Sequence, residues 1–246
     1  MSPSVIAQPR VPTDGVRPPV PRAPVEQPHS RKAGARAVAI PVGNTTLEGT
    51  LIWPCHPSGF VLVTRARRGR QAGLEDVHLA ARLRTEGLGT LLVERITGSR
   101  GSDSEFQPGQ FQAAAEWLGQ QPEAAGLPMG YLSIGVGTSG TLAAAGSSAR
   151  LAAVVSYGGD PGVLGDRLYV LRPPTLLIVG DSDYERLRIL HPALVRFGGP
   201  TWLTTIPGAA SLHQARALEE AGHRAAQWFV RHLTLEPAWR ALHMHA

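Results

Sequence analysis

The run Gly135-Val136-Gly137-Thr138-Ser139-Gly140 follows the apolar stretch Met129 to Ile134 and opens a segment of helical composition. A glycine turn at a helix N-terminus offers backbone N–H groups and the positive end of the helix dipole, which is the chemistry of an anion cradle. Written as G-x-G-x-x-G, with Asp160 twenty residues beyond Gly140, the same run matches a dinucleotide fingerprint and its ribose-binding acid. That fingerprint belongs in the first βαβ unit of a domain, however, and here three buried strands precede it. In a chain with 28 glycines the match is also cheap. A second charged run, Thr64-Arg65-Ala66-Arg67-Arg68-Gly69-Arg70, carries four arginines in six residues. Arginine presents paired donors in a planar fork suited to phosphate or carboxylate. If Arg65, Arg67 or Arg68 project over the glycine turn, they form an anion pocket with Gly137 and Thr138. The competing reading is a solvated charged face.

Other reactive side chains are scattered. Asp183 follows the apolar run Thr175 to Val179, where a carboxylate serves either a site or a helix cap. The single cysteine, Cys55, lies between Pro54 and His56 without a base or acid nearby, and it excludes a disulfide framework or a multi-cysteine zinc site. His243 and His245 stand in a short polar tail, and the remaining histidines lack ligand spacing, so no metal or other cofactor is expected.

The elements that must position these residues read as short apolar strands alternating with helices. Val38 to Val42 and Thr46 to Trp53 flank the turn-like Gly43-Asn44 and suggest an antiparallel pair. Phe60 to Val63, Thr90 to Val93, Met129 to Ile134, Leu151 to Ser156, Thr175 to Val179 and Thr201 to Ile206 are strands, most of them continuous apolar runs. Helices are expected over Leu74–Glu86, Phe111–Leu118, Thr138–Ala145, Tyr184–Arg196 and Gln214–Leu233. This alternation predicts an α/β domain with a mostly parallel sheet of about eight strands and helices on both faces. Chemistry then belongs at the carboxyl ends of the strands. Ser133 falls in the strand and Ser139 in the helix that follows it. Trp117, Trp202 and Trp228 read as core or sheet-packing residues.

Several segments carry a family resemblance. They are Leu47-Glu48-Gly49-Thr50-Leu51, Gly126-Leu127-Pro128-Met129-Gly130-Tyr131, Pro174 to Asp183, Ile206-Pro207-Gly208-Ala209-Ala210 and Ala226-Gln227-Trp228-Phe229. With these, residues 37–233 resemble the α/β-hydrolase fold in its dienelactone-hydrolase-like branch. The resemblance implies a nucleophile–acid–base triad, and its positions here are Gly135, Asp183 and Ser211. Glycine cannot attack, and serine stands where the family has histidine. The His-Gly segment that relatives carry after the first buried parallel strand is replaced by the arginine run. Together these departures imply a degenerate hydrolase that binds a ligand or partner. The alternative is an active hydrolase of small esters or lactones using a displaced Ser133 or Ser139 with His213 and Asp183.

Composition narrows the remaining classes. Eight of the 21 prolines fall in the first 30 residues, so residues 1–36 read as a disordered tail, with residues 234–246 as a second tail. Six basic and two acidic residues in residues 1–36 supply +4 of the net +5, which leaves no broad basic face for nucleic acid. No apolar run approaches the ~18 residues of a membrane span, and no secretory signal is visible. The expectation is a cytoplasmic protein that takes a small molecule or anion, with its oligomeric state left open.

Overall fold

A computed structural model of the chain describes residues 32–43, 45–65, 70–94, 108–148, 151–209 and 214–233. The order along the chain is β1 (Gly34–Val42), β2 (Thr45–Trp53), β3 (Phe60–Arg65), α1 (Arg70–Thr85), β4 (Gly89–Glu94) and α2 (Pro108–Gly119). Then follow β5 (Met129–Ile134), α3 (Thr138–Gly146), β6 (Leu151–Tyr157), β7 (Thr175–Gly180), α4 (Tyr184–Leu194), β8 (Thr201–Ile206) and α5 (Ala215–Leu233). The strands form one eight-stranded sheet in the order β1-β2-β4-β3-β5-β6-β7-β8. β2 is antiparallel to both β1 and β4, and all other pairings are parallel. This is the mostly parallel sheet that the alternation of apolar runs predicted, in the α/β-hydrolase architecture that the resemblance implied.

The sheet is covered on both faces because its parallel strands carry apolar side chains on both. Val61, Val63, Leu132 and Val155 pack on one face against Leu79 and Leu83 of α1 and Ala221, Ala225 and Phe229 of α5. On the other, Phe60, Leu62, Tyr131 and Val154 meet Phe111 and Leu118 of α2 and Leu142 and Ala145 of α3. Leu190 of α4 closes the far end of that layer on Leu177 and Val179. A 3₁₀ stretch, Gly162–Val170, joins the same layer through Leu168 and was not foreseen. It is kinked at Gly165 (φ +51°), so it has no continuous helical period to read.

One boundary differs from expectation. β1 begins at Gly34, three residues inside the stretch read as a tail. Arg36 explains the extension, since its guanidinium lies 5.8 Å from the ring centre of Trp53 and 6.0 Å from that of Trp117. It also donates to Gln121 Oε1 at 2.7 Å, fastening β1 to the turn after α2. The remainder of that tail, and residues 234–246, lie outside the described residues. Of the two readings for Trp202, core or sheet-packing, the second fits. Trp202 sits on the edge strand β8, is 49% exposed, and meets Trp228 edge-on at 5.0 Å.

Helix α5 sets the tightest packing on the sheet. Its alanines let the helix approach closely, and Phe229 lies flush on β5 over Gly130. A Cβ on Gly130 would stand 2.4 Å from Phe229 Cε1, well inside contact distance. Gly130→Ala is therefore expected to cost about 1–3 kcal/mol through overpacking, and Phe229→Ala about 3–5 kcal/mol through cavity formation. The two are coupled. In the Phe229→Ala background the added methyl should cost less than ~1 kcal/mol or even stabilise, as read from urea midpoints of the four proteins.

Candidate active site

The carboxyl ends of β3, β5, β6 and β7 lie on one edge of the sheet, and β5 carries its central feature. After Ile134 the chain passes through one 3₁₀ turn, Gly135–Gly137, directly into α3. Gly135 takes φ +62°, a left-handed conformation that side chains strongly disfavour. The turn is a strand-to-helix elbow, and the residue at its tip has no side chain.

Beneath the elbow a hydroxyl hub holds it in place. Thr138 Oγ1 donates to Gly135 O at 3.0 Å and bonds Ser133 Oγ at 3.2 Å and Ser156 Oγ at 2.8 Å. The Thr138 backbone N–H also goes to Gly135 O. Gly159, in the loop after β6, packs directly on this threonine. A Cβ there would fall 1.5 Å from Thr138 Oγ1, so only glycine fits. Ser133 lies in β5, fully buried, with its oxygen in the hub. Ser139 is buried in the first turn of α3. Gly137 and Thr138 are at the elbow as expected, although the Thr138 hydroxyl is already engaged.

One strand away, Thr64 near the end of β3 is also fully buried, and its Oγ1 has no hydrogen-bond partner. Val63 pairs with Leu132, so Thr64 stands level with Ser133 and shares its face. Its side chain therefore lies on the sheet face that α2 and α3 cover.

Asp183 caps α4. Its Oδ1 accepts from the Arg186 backbone N–H at 3.2 Å and its Oδ2 from Arg186 Nε at 2.9 Å. Arg186 Nη1 in turn donates to Gly158 O, in the loop after β6. A single guanidinium thus ties the β7 loop to the β6 loop, and its side chain is 32% exposed. The loops after β7 and β8 are joined as well, because Asp181 Oδ1 accepts from the Gly208 N–H at 2.9 Å. Asp160 turns into its own loop, accepting from the Gly162 N–H at 2.7 Å.

The sequence reading missed the role of Arg186. Its only signal was the Asp183-x-x-Arg186 spacing at a helix start. Ser211, His213, Arg67 and Arg68 lie outside the described residues, as do His243 and His245. Arg65 closes β3, its backbone paired with Glu94. Among the described residues no three His, Cys, Asp or Glu side chains gather to hold a metal, and no helix is long and apolar enough to cross a membrane.

The two buried threonines predict opposite responses to the same substitution. Thr138→Val strands two serine hydroxyls, while Gly135 O keeps the backbone N–H of residue 138, and should lower the unfolding free energy by about 1–3 kcal/mol. Thr64→Val removes an unpartnered buried hydroxyl, and should leave the urea midpoint unchanged or raise it by up to ~1 kcal/mol equivalent.

No protein-family model matches the chain. A Mycobacterium tuberculosis protein named "Putative phosphoribosyl transferase", found alike in strains CDC 1551 / Oshkosh and ATCC 25618 / H37Rv, is 32% identical over 204 residues. The match takes in 80% of this chain but 46% of the relative, so the chain spans about half the length of the curated relatives it matches. Among solved structures, a dienelactone hydrolase from Anabaena variabilis ATCC 29413 superposes with a TM-score of 0.76 at 28% identity, over 82% of this chain and 100% of that one. Est1E from Butyrivibrio proteoclasticus superposes at 0.65 with 14% identity, over 81% and 99% of the two chains. The chain has the α/β-hydrolase fold and is a structural homologue of dienelactone hydrolase at low identity.

Proposed function

We propose that this protein is an α/β-hydrolase-fold binding protein without working triad catalysis, and that the sheet edge above its elbow takes a small anionic ligand. The observation that carries the proposal is Gly135 at φ +62°. A nucleophile elbow works by lifting a side chain over backbone donors at a strained turn. Here the turn is kept and the side chain is absent. The acid position supports the same reading, since both carboxylate oxygens of Asp183 are taken by Arg186. Ser133 is a poor substitute nucleophile, because it is fully buried with its oxygen in the hydroxyl hub.

An anionic ligand suits the charge at this edge. The positive end of the α3 dipole adds positive potential there. β3 is the neighbour of β5, so Arg65, Arg67 and Arg68 follow a strand that ends beside the elbow. Phosphate is the anion we favour. The mycobacterial relatives carry phosphoribosyl transfer in their name, although their match to this chain covers under half of their length.

A serine-directed fluorophosphonate probe tests the catalytic half of the proposal. The folded protein is expected to show no labelling, and p-nitrophenyl acetate turnover at the level of buffer. Stoichiometric labelling at Ser133 or Ser139 would establish the active-hydrolase reading instead.

A further inference from the structure

We propose that the outer edge of β8 is an association surface whose occupant is a second copy of this chain, joined strand to strand across a two-fold axis. The inference is independent of the anionic-ligand reading, since it concerns the side of the sheet and not the ends of its strands.

β8 ends the sheet and pairs with β7 alone, residue for residue and without a bulge. The Thr175 N–H goes to Pro200 O and the Asp181 N–H to Ile206 O, so even-numbered residues along β8 turn their backbone groups toward β7. The odd-numbered ones, Thr201, Leu203 and Thr205, therefore turn theirs outward. Among the described residues only Arg224 reaches these outward groups, donating Nη1 to Thr205 O at 2.8 Å. An open edge is ordinarily guarded by charge, proline or a bulge. β8 reads Thr-Trp-Leu-Thr-Thr-Ile, uncharged and rich in strand-forming residues, with prolines only at its flanks, Pro200 and Pro207.

Another strand fits such an edge, and the side chains select β8 itself. Trp202 and Thr204 lie on the face that α5 covers, where they meet Trp228 and Arg224, and Leu203 lies on the opposite face with Leu190. A two-fold axis normal to the sheet keeps both faces continuous between copies and sets odd residues opposite odd ones. The register with Leu203 opposite itself engages all three outward residues, Thr201 facing Thr205 of the second copy. Trp202 then stands opposite Thr204 of the second copy, with about 4.5 Å between their Cα atoms. Thr204 Oγ1 accepts from Arg224, whose Nε is held by Glu220 at 2.8 Å. Each Trp202 ring, 49% exposed in the single chain, thus comes beside the other copy's Arg224, and the ring face attracts that cation. Symmetry makes the contact twice, and no like charges meet along the strands.

Sedimentation velocity of the full chain over a concentration series is expected to show a monomer–dimer equilibrium. Thr205→Pro removes an outward N–H that the sheet does not use, and Trp202→Ala removes the aromatic half of the cross-contact. Each should weaken dimerisation about tenfold or more with the circular dichroism unchanged. Register is read by cross-linking in a Cys55→Ser background. Leu203→Cys should give an oxidised dimer, because hydrogen-bonded antiparallel partners have Cα atoms about 5.5 Å apart, within disulfide reach. Thr205→Cys should not, since the two copies of that residue stand about four residues apart along the pair. The cross-link decides the matter if Thr205→Pro or Trp202→Ala fails to fold. A monomer at every concentration overturns the proposal. So does a dimer of unchanged affinity in both folded variants, or one that links through Thr205→Cys and not through Leu203→Cys. Dimerisation only after removal of residues 234–246 would give the edge to the chain's own end and overturn it as well.

Discussion

Everything at the carboxyl edge of the sheet depends on one backbone constraint, the passage from a buried parallel strand into a buried helix through a single 3₁₀ turn. The left-handed conformation of Gly135 opens that turn. The strand is pinned by sheet partners on both sides and α3 is buried along most of its length, so neither end can move to relax the turn. Two other close approaches maintain the arrangement. Gly159 lets the β6 loop lie on Thr138, and Gly180 lets the β7 loop lie on the carbonyl of Ala209, where a Cβ would come within 2.0 Å. At both positions the loops close on the edge more tightly than a side chain would allow.

The elbow needs no side chain at its tip. The turn is held by hydroxyls and packing beneath it, none of which needs a reactive group at the tip. Glycine is in fact the residue best suited to φ +62°, since any side chain there carries strain that only a catalytic gain would offset. Asp183 caps the first turn of α4 and orients Arg186, and that arginine links the β6 and β7 loops.

Legibility in the sequence divided along the same lines. The buried strands and the long amphipathic α5 were visible because burial on two faces, or on one helical face, imposes a local pattern. The glycine at the elbow was visible because position after an apolar strand fixes its place. The hydroxyl hub was not. Ser133, Thr138 and Ser156 meet only through the register between β5 and β6, and nothing in their spacing announces it. The clamp made by Arg186 was equally hidden, because its decisive partner is a backbone carbonyl, which every residue possesses. Trp202 was legible as sheet-packing but its exposure was not, because β8 is an edge strand, and edge position is a property of strand order rather than of local composition.

The hub beneath the elbow also has a direction. A carbonyl can only accept, and Thr138 has one proton, which goes to Gly135 O. Ser133 and Ser156 must then both donate to the threonine oxygen, filling its two lone pairs. No other order of protons satisfies all three bonds. The hydroxyl hydrogen of Ser133 is thus aimed into the interior and held there by a neighbour that has no second proton to exchange for it. A base approaching from the sheet edge would find that proton facing away. The residue nearest in chemistry to a nucleophile is insulated from the edge by the polarity of its own hydrogen bond.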